Sequence, residues 1–230
     1  MGTGGFGPDK VINLYGDIWI SRTVTTTWFI MAILFAFSLY VKNRLKERPD
    51  GLQVMVEAVV TGIYGLVKMV MGEDKMAYAP YIGTLLLFIA VSNLSGLVGL
   101  RPPTADMNTT LCLSGMTFLL IHGSGVKRKG LVYFKGFIEP TPVMLPLNLI
   151  GELATPISLG FRLFGNITGG LVIMSLLYGA LGLINVGGVP IGMGIPVPAF
   201  LHIYFDVFAG ILQSFIFSML TMVFVAMAMD

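Results

Sequence analysis

Apolar residues fall along this chain in long runs, and the runs are of two lengths. Residues 22–42, 77–100 and 107–126 each supply about the 20 mostly apolar residues that a helix needs to cross a hydrocarbon core. Two later tracts, about 142–184 and about 195–229, are too long to stand upright. At 1.5 Å per residue they would reach ~65 and ~52 Å, against a core of ~30 Å. They are expected to tilt steeply, break or fold back as a paired hairpin, joined by the Gly/Pro-rich "NVGGVPIGMGIPVP". Pro146 and Pro156 require local kinks in the first of them.

Residues 51–72 read differently. Glu57, Thr61 and Lys68 fall close to one face of an otherwise apolar helix. That pattern suits a helix lying at the cytoplasmic interface; the alternative is a sixth span. The expected fold class is therefore an all-α integral membrane protein in a single domain, with about five membrane helices and one interfacial amphipathic helix. Residues 1–20 form an N-terminal segment that lacks the basic-then-apolar order of a secretory signal and is expected to be retained.

Composition strengthens this. Of the 230 residues, 55% are hydrophobic and only 11% charged, less than half the charged share of a soluble domain. The net charge of +2 does not indicate nucleic acid, because the basic residues sit in short clusters between apolar runs. The one cysteine, Cys112, excludes an intrachain disulfide and has no His or Cys at metal spacing. No metal or cofactor is expected.

The basic clusters set orientation. Lys42, Arg44, Lys46 and Arg48 follow the first span, and Lys127, Arg128, Lys129 and Lys135 follow the third, whereas the loop "RPPTADMNTT" holds only Arg101. Placing both clusters in the cytoplasm puts the N-terminus outside and the C-terminus inside.

Few ionisable groups then remain at depth: Glu152, Arg162 and Asp206, with His122 and His202 nearer the edges. A charge at the centre of a spanning helix costs roughly 2.5–3.5 kcal/mol on insertion scales and marks an ion path by default. Ser158, Arg162 and Asn166 stand at i, i+4 and i+8, a polar stripe on one face, with the pair Gly165/Gly169 and with Gly160 and Gly170 offering small surface for another helix. On the second tract His202, Asp206 and Gln213 lie on one side. A buried Arg162–Asp206 ion pair is the simplest structural use of these charges, but the stripe is longer than one pair needs. Arginine also keeps its proton in a protein, so it can pair with ions without carrying one.

The stretches "PISLGFRLFGNITGG" and "FDVFAGILQSFIFSMLT", with "PTADMNTTL" and "GVKRKG" ahead of them, resemble subunit a of F-type ATP synthases over essentially the whole chain from about residue 10. The resemblance implies a non-catalytic, multi-pass membrane subunit; the short chain and the missing transit signal favour a bacterial plasma membrane. Its implied partners are the c-subunit ring, the b-subunit peripheral stalk and the remaining synthase subunits. It implies that Arg162 faces the ring and separates two aqueous half-channels, with Gln213 beside it on the neighbouring helix. Asn166 and Ser158 match polar positions of the ion path, Glu152 an acidic position on the cytoplasmic side, and Asp206 a position of the outer half-channel. His202 is either a neighbouring relay or an interfacial histidine. One departure stands out: many members carry Glu nine residues after the arginine, and here that position is Leu171, which leaves Asp206 as the deep carboxylate of the second tract.

Two other classes compete. A secondary transporter built on an intramembrane Arg/Asp pair would be expected to show internal repeats, and none is convincing here. An intramembrane protease needs a metal motif or a serine with a partnered base, and "LHIYFD" and "HGSG" supply neither.

Overall fold

The computed structural model describes residues 10–15, 18–48, 51–137, 141–183, 185–186, 189–190 and 197–230; most of the linker joining the two long tracts lies outside them. A hairpin of β1 (Lys10–Tyr15) and β2 (Ile18–Ser21) leads into α1 (Arg22–Lys42). There follow α2 (Leu52–Met71), α3 (Ala79–Leu94), α4 (Met107–Lys129) and the 38-residue α5 (Leu145–Gly182). A two-residue hairpin, β3 (Asn185–Val186) with β4 (Val189–Pro190), precedes α6 (Val197–His202), a π-helical stretch Ile203–Ala209 and α7 (Gly210–Met229). The strands were not signalled by the apolar pattern, being too short to leave a period.

The helix ends follow local chemistry. Ser21 caps α1, its hydroxyl accepting from Val24 N at 3.3 Å, and Asp106 caps α4 by accepting from Asn108 N at 3.0 Å. Lys127, Arg128 and Lys129 occupy the last turn of α4, where the helix dipole favours cations, and Gly130 ends it at φ +63°. Hydroxyls within α1 bond back to carbonyls of the preceding turn, so Thr25, Thr26 and Thr27 cost nothing in an apolar setting.

Burial is inverted relative to a soluble protein. Trp28, Phe35, Leu119, Phe200 and Met227 are more than half exposed, while Ser92, Asn93, Thr104, Thr110, Ser114, Thr117, Gln213, Ser218 and Thr221 are buried. Where the outer solvent is lipid, apolar side chains gain little by leaving it, and small or hydrogen-bonding residues mediate close packing instead. Among the described residues, six helical segments are long and apolar enough to cross a membrane: Arg22–Lys42, Leu52–Met71, Glu73–Val98, Met107–Lys129, Leu145–Gly182 and Val197–Met229. The chain is an all-α multi-pass membrane protein.

The centre is α7, which packs on α3, α4 and the C-terminal part of α2, while α5 lies along α4. Phe217, Leu163, Leu159, Ile89 and Leu85 form one apolar cluster, and Val67, Met71, Ile82, Met222 and Val225 another. The Thr117 and Thr221 hydroxyls meet between α4 and α7 at 3.5 Å.

The sixth qualifying helix, α2, is the one beyond the five expected from the apolar runs, and it qualifies by length and composition. Its burial is confined to Ile63, Val67 and Met71, in its second half. The segment after it is tied to the ends of α4 and α7: Arg128 pairs with Asp74 at 3.4 Å, and the buried Lys75 ammonium with Asp230 at 2.5 Å. The basic end of α4, the end of α7 and the junction of α2 with α3 therefore share one face. α1 is buried only at Thr23, Thr26 and Ile30 in its first half, and it packs on the turn Pro103–Ala105 that precedes α4.

Candidate functional site

Arg162 sits near the middle of α5, on a face that no other part of the described chain covers. Ser158, Arg162 and Asn166 are all exposed, as their spacing of four along a 3.6-residue helix requires. Arg162 makes no hydrogen bond or ion pair with a described residue. Nothing of the described chain lies within 4 Å of where a Cβ on Gly165 or Gly169 would stand. The glycines on the other side of α5 behave differently. A Cβ on Gly160 would stand 2.8 Å from Ser114 Oγ and 3.3 Å from Thr110 O, and one on Gly170 3.3 Å from the Phe205 side chain. So Gly160 and Gly170 seat α5 on its own bundle, while Gly165 and Gly169 keep the arginine face flat and open.

The Arg162–Asp206 ion pair does not form. Asp206 instead bonds His202, Oδ2 to Nδ1 at 2.6 Å, one turn away in the segment that becomes π-helical. The Asp206 side chain is 16% exposed and the His202 side chain 36%. Local geometry makes the nearer partner, four residues away on the same tract, the stronger competitor for the Asp206 carboxylate. The Arg162–Asp206 pair, on which the secondary-transporter alternative rests, is therefore not made; Asp206 is held by His202 instead.

His202 is bonded on its other nitrogen as well. Nε2 lies 3.0 Å from the Tyr178 hydroxyl, near the end of α5. The line Tyr178–His202–Asp206 thus ties the start of the last tract to the end of α5. Asp206 also packs near Gly96 after α3, where an added Cβ would come within 3.6 Å of the carboxylate.

Beside this line lies a buried polar group. Asn93 Nδ2 donates to Gly210 O at 2.8 Å, and the Thr104 hydroxyl donates to Asn93 Oδ1 at 2.7 Å. Gln213 is 4% exposed, its Nε2 buried without a partner among the described residues, as is the Ser92 hydroxyl. Buried polar atoms left in this state are the ones that ordered water serves. Gln213 therefore faces the interior of the bundle, whereas Arg162 faces outward. At the other end, Glu152 is half-buried in α5 and lines a cavity with Lys129, Tyr133 and Thr155. No cluster of three or more His, Cys, Asp or Glu suited to a metal occurs among the described residues.

Tyr178, Asn93 and Thr104 were not indicated by the sequence. Each acts across a separation of 11 to 117 residues, which periodicity within one helix does not register; only the placement of Asn93 inside a span hinted at a buried amide.

The sequence matches the family described as ATP synthase A chain over residues 24–226. It is 39% identical to ATP synthase subunit a 2 of Syntrophotalea carbinolica over 212 residues, 90% of this chain and 85% of that one. It is 35% identical to the sodium ion specific ATP synthase subunit a of Propionigenium modestum, covering 96% of this chain and 78% of that one. With ATP synthase subunit a of Moorella thermoacetica the identity is 34% over 95% of each chain. A match across nearly the whole membrane bundle, with the polar residues on the helices just described, means that the chain belongs to the ATP synthase subunit a family.

Proposed function

We propose that this chain is the ion-translocating stator of an F-type ATP synthase, feeding a ring of c subunits through two aqueous half-channels that Arg162 keeps apart. The observation that carries this is an arginine, exposed and unpaired among the described residues, midway along an apolar helix and flanked by two open glycines. An unpaired guanidinium facing lipid would be costly; facing a carboxylate on a passing partner helix, it is matched.

The mechanism follows from charge. An ion enters from the outer side past Asp206, held by His202, through the polar group around Asn93 and Gln213. It neutralises a ring carboxylate, which can then enter lipid without the penalty of a bare charge. After nearly a full turn that carboxylate reaches the inner cleft near Ser158 and Glu152 and gives up its ion. Arg162, with Asn166 one turn on, favours the ionised carboxylate, so the ion must leave before the site passes. Each unit charge crossing 100 mV releases about 2.3 kcal/mol, available as torque. The chain itself forms no covalent bond; nucleotide chemistry belongs to other subunits, with the b-subunit stalk holding this one still.

The membrane is proposed to be a bacterial plasma membrane, with the N-terminus outside and the C-terminus in the cytoplasm. The ion pairs Arg128–Asp74 and Lys75–Asp230 support this, since they put the end of α2 level with the basic end of α4. With α1 crossing from the outer side, α2 then starts and ends at the same face, which favours its lying along the interface. The coupling ion is H⁺ or Na⁺.

A photocrosslinker tests the partner. p-Benzoylphenylalanine at Phe161, beside Arg162 and half-exposed, should form adducts with the c subunit in assembled complexes. Assembled complexes that give no c adduct would contradict the assignment.

A further inference from the structure

A cavity of about 630 Å³ opens between the end of α4, the turn Gly130–Phe137, the start of α5 and the end of α7. Its polar lining is Lys129, Tyr133, Asn148, Glu152 and Thr155, and it is large enough for many waters. Glu152 lies ten residues before Arg162, about 15 Å along the same helix.

The wall on one side is the turn Gly130–Phe137, a single 3₁₀ segment. It is fastened at two points, one near its middle and one at its end. The Tyr133 hydroxyl bonds His122 Nδ1 on α4 at 2.8 Å, and Asn148 Nδ2 on α5 donates to Phe137 O at 3.0 Å. The Tyr133 ring lies directly on Gly125, where any Cβ would overlap it. Behind the wall, the His122 ring touches Phe118, Tyr133 and Phe137, with centroids 4.1, 5.9 and 6.2 Å away. Burial, and after it the Glu152 carboxylate, push the Tyr133 phenol above its ordinary value, so the hydroxyl keeps its proton and its bond.

We propose that this cavity is the inner vestibule through which the ion leaves, and that the Gly130–Phe137 turn is its wall, latched by Tyr133 onto His122 and Gly125. The inference rests on the half-channel reading above and adds which residues enclose the exit. Tyr133 is a positioning residue: it shapes the water around Glu152 without touching the ion's ring carboxylate. An ion released near Ser158 then meets a hydrated, partly enclosed space with a carboxylate to receive it and Lys129 at its rim.

The test uses the whole assembled complex in sealed vesicles, with Cys112→Ser as background and Thr155→Cys as reporter. A membrane-impermeant thiosulfonate should modify the reporter from the basic, inner side and not from the outer side. Adding Tyr133→Phe, which keeps the ring on Gly125 but removes the hydroxyl, should raise that modification rate threefold or more and lower ATP-driven pumping. Asn148→Ala, cutting the other fastening, should do the same. A reporter that is unreactive from the inner side, as in a cavity filled by lipid, overturns the vestibule. A reactive reporter whose rate neither variant changes overturns the latch. These outcomes are separable from the fate of the half-channel reading, since an Arg162→Ala complex that still pumps would sink that reading whatever the reporter does.

Discussion

Asn93 on α3 donates from Nδ2 to the carbonyl of Gly210, the first residue of α7, at 2.8 Å across 117 residues of sequence. The bond falls where the π-helical stretch Ile203–Ala209 gives way to regular helix, a place where extra turns are often found beside functional residues. Thr104 completes the group by donating to Asn93 Oδ1. The pair fixes where α7 begins, and with it the heights of Asp206 on one side and Gln213 on the other.

Asn93→Leu, which keeps the branched shape of the side chain but replaces the amide by two methyls, therefore removes two buried hydrogen bonds and leaves Gly210 O and the Thr104 hydroxyl unserved. A loss of about 1–2 kcal/mol is expected, given the modest net worth of such bonds within membranes. Thermal unfolding of the purified complex in detergent, followed by loss of subunit a, reads it. Pumping should fall along with stability, because the last tract loses its register against α3.

The glycines of α5 divide into two classes with opposite consequences. Gly160→Ala puts a methyl 2.8 Å from Ser114 Oγ and 3.3 Å from the backbone oxygen of Thr110, which cannot rotate away. It should cost about 1–3 kcal/mol by overpacking and lower the amount of subunit a in membranes. Gly165→Ala meets nothing of the described chain, so its level should be unchanged; if this face meets the ring, as proposed, pumping should fall because the methyl obstructs it. Immunoblots and pumping assays on the same vesicles separate the two.

The pair Lys75–Asp230 gives a pH dependence of defined sign. The hydrogen bond from Lys75 holds the Asp230 carboxyl below its usual value of 3.8. A carboxyl whose folded value is depressed contributes stability fully above the unfolded value and loses it as pH falls below that. Stability of the end of α7 should thus be flat from neutral pH down to about 4 and decline beneath it. Asp230→Asn should remove that part of the decline, as read by hydrogen exchange at the C-terminal end of α7.

How much was legible depended on the range over which each feature acts. The spans, the over-long last two tracts and the outward stripe of Ser158, Arg162 and Asn166 are properties of one helix and its period, and the apolar pattern carries them. Gln213 shows where that stops. Its spacing places it on one side of its tract with Asp206, but which neighbours that side meets depends on α3, and the structure buries it. The ion pair of Arg162 with Asp206 failed for a related reason: composition supplies two opposite charges, while His202, only four residues away, takes the carboxylate first. The hydroxyl of Tyr178, which bonds His202 from another helix, had no local signature at all. α2 sits between these cases, since hydropathy admits it as a span and only the ion pairs Arg128–Asp74 and Lys75–Asp230 relate its end to the basic face.

On the proposed reading, Arg162 serves a partner outside the chain and separates two ion paths. The most direct measurement replaces Arg162 with alanine and follows ATP-driven ion pumping in inverted membrane vesicles, with passive ion leak recorded in the same preparation. Because Arg162 bonds nothing in its own described chain, the complex should assemble at its normal level, pumping should be abolished, and the leak should rise as the two half-channels join through the ring. Normal pumping in fully assembled Arg162→Ala complexes would contradict the account.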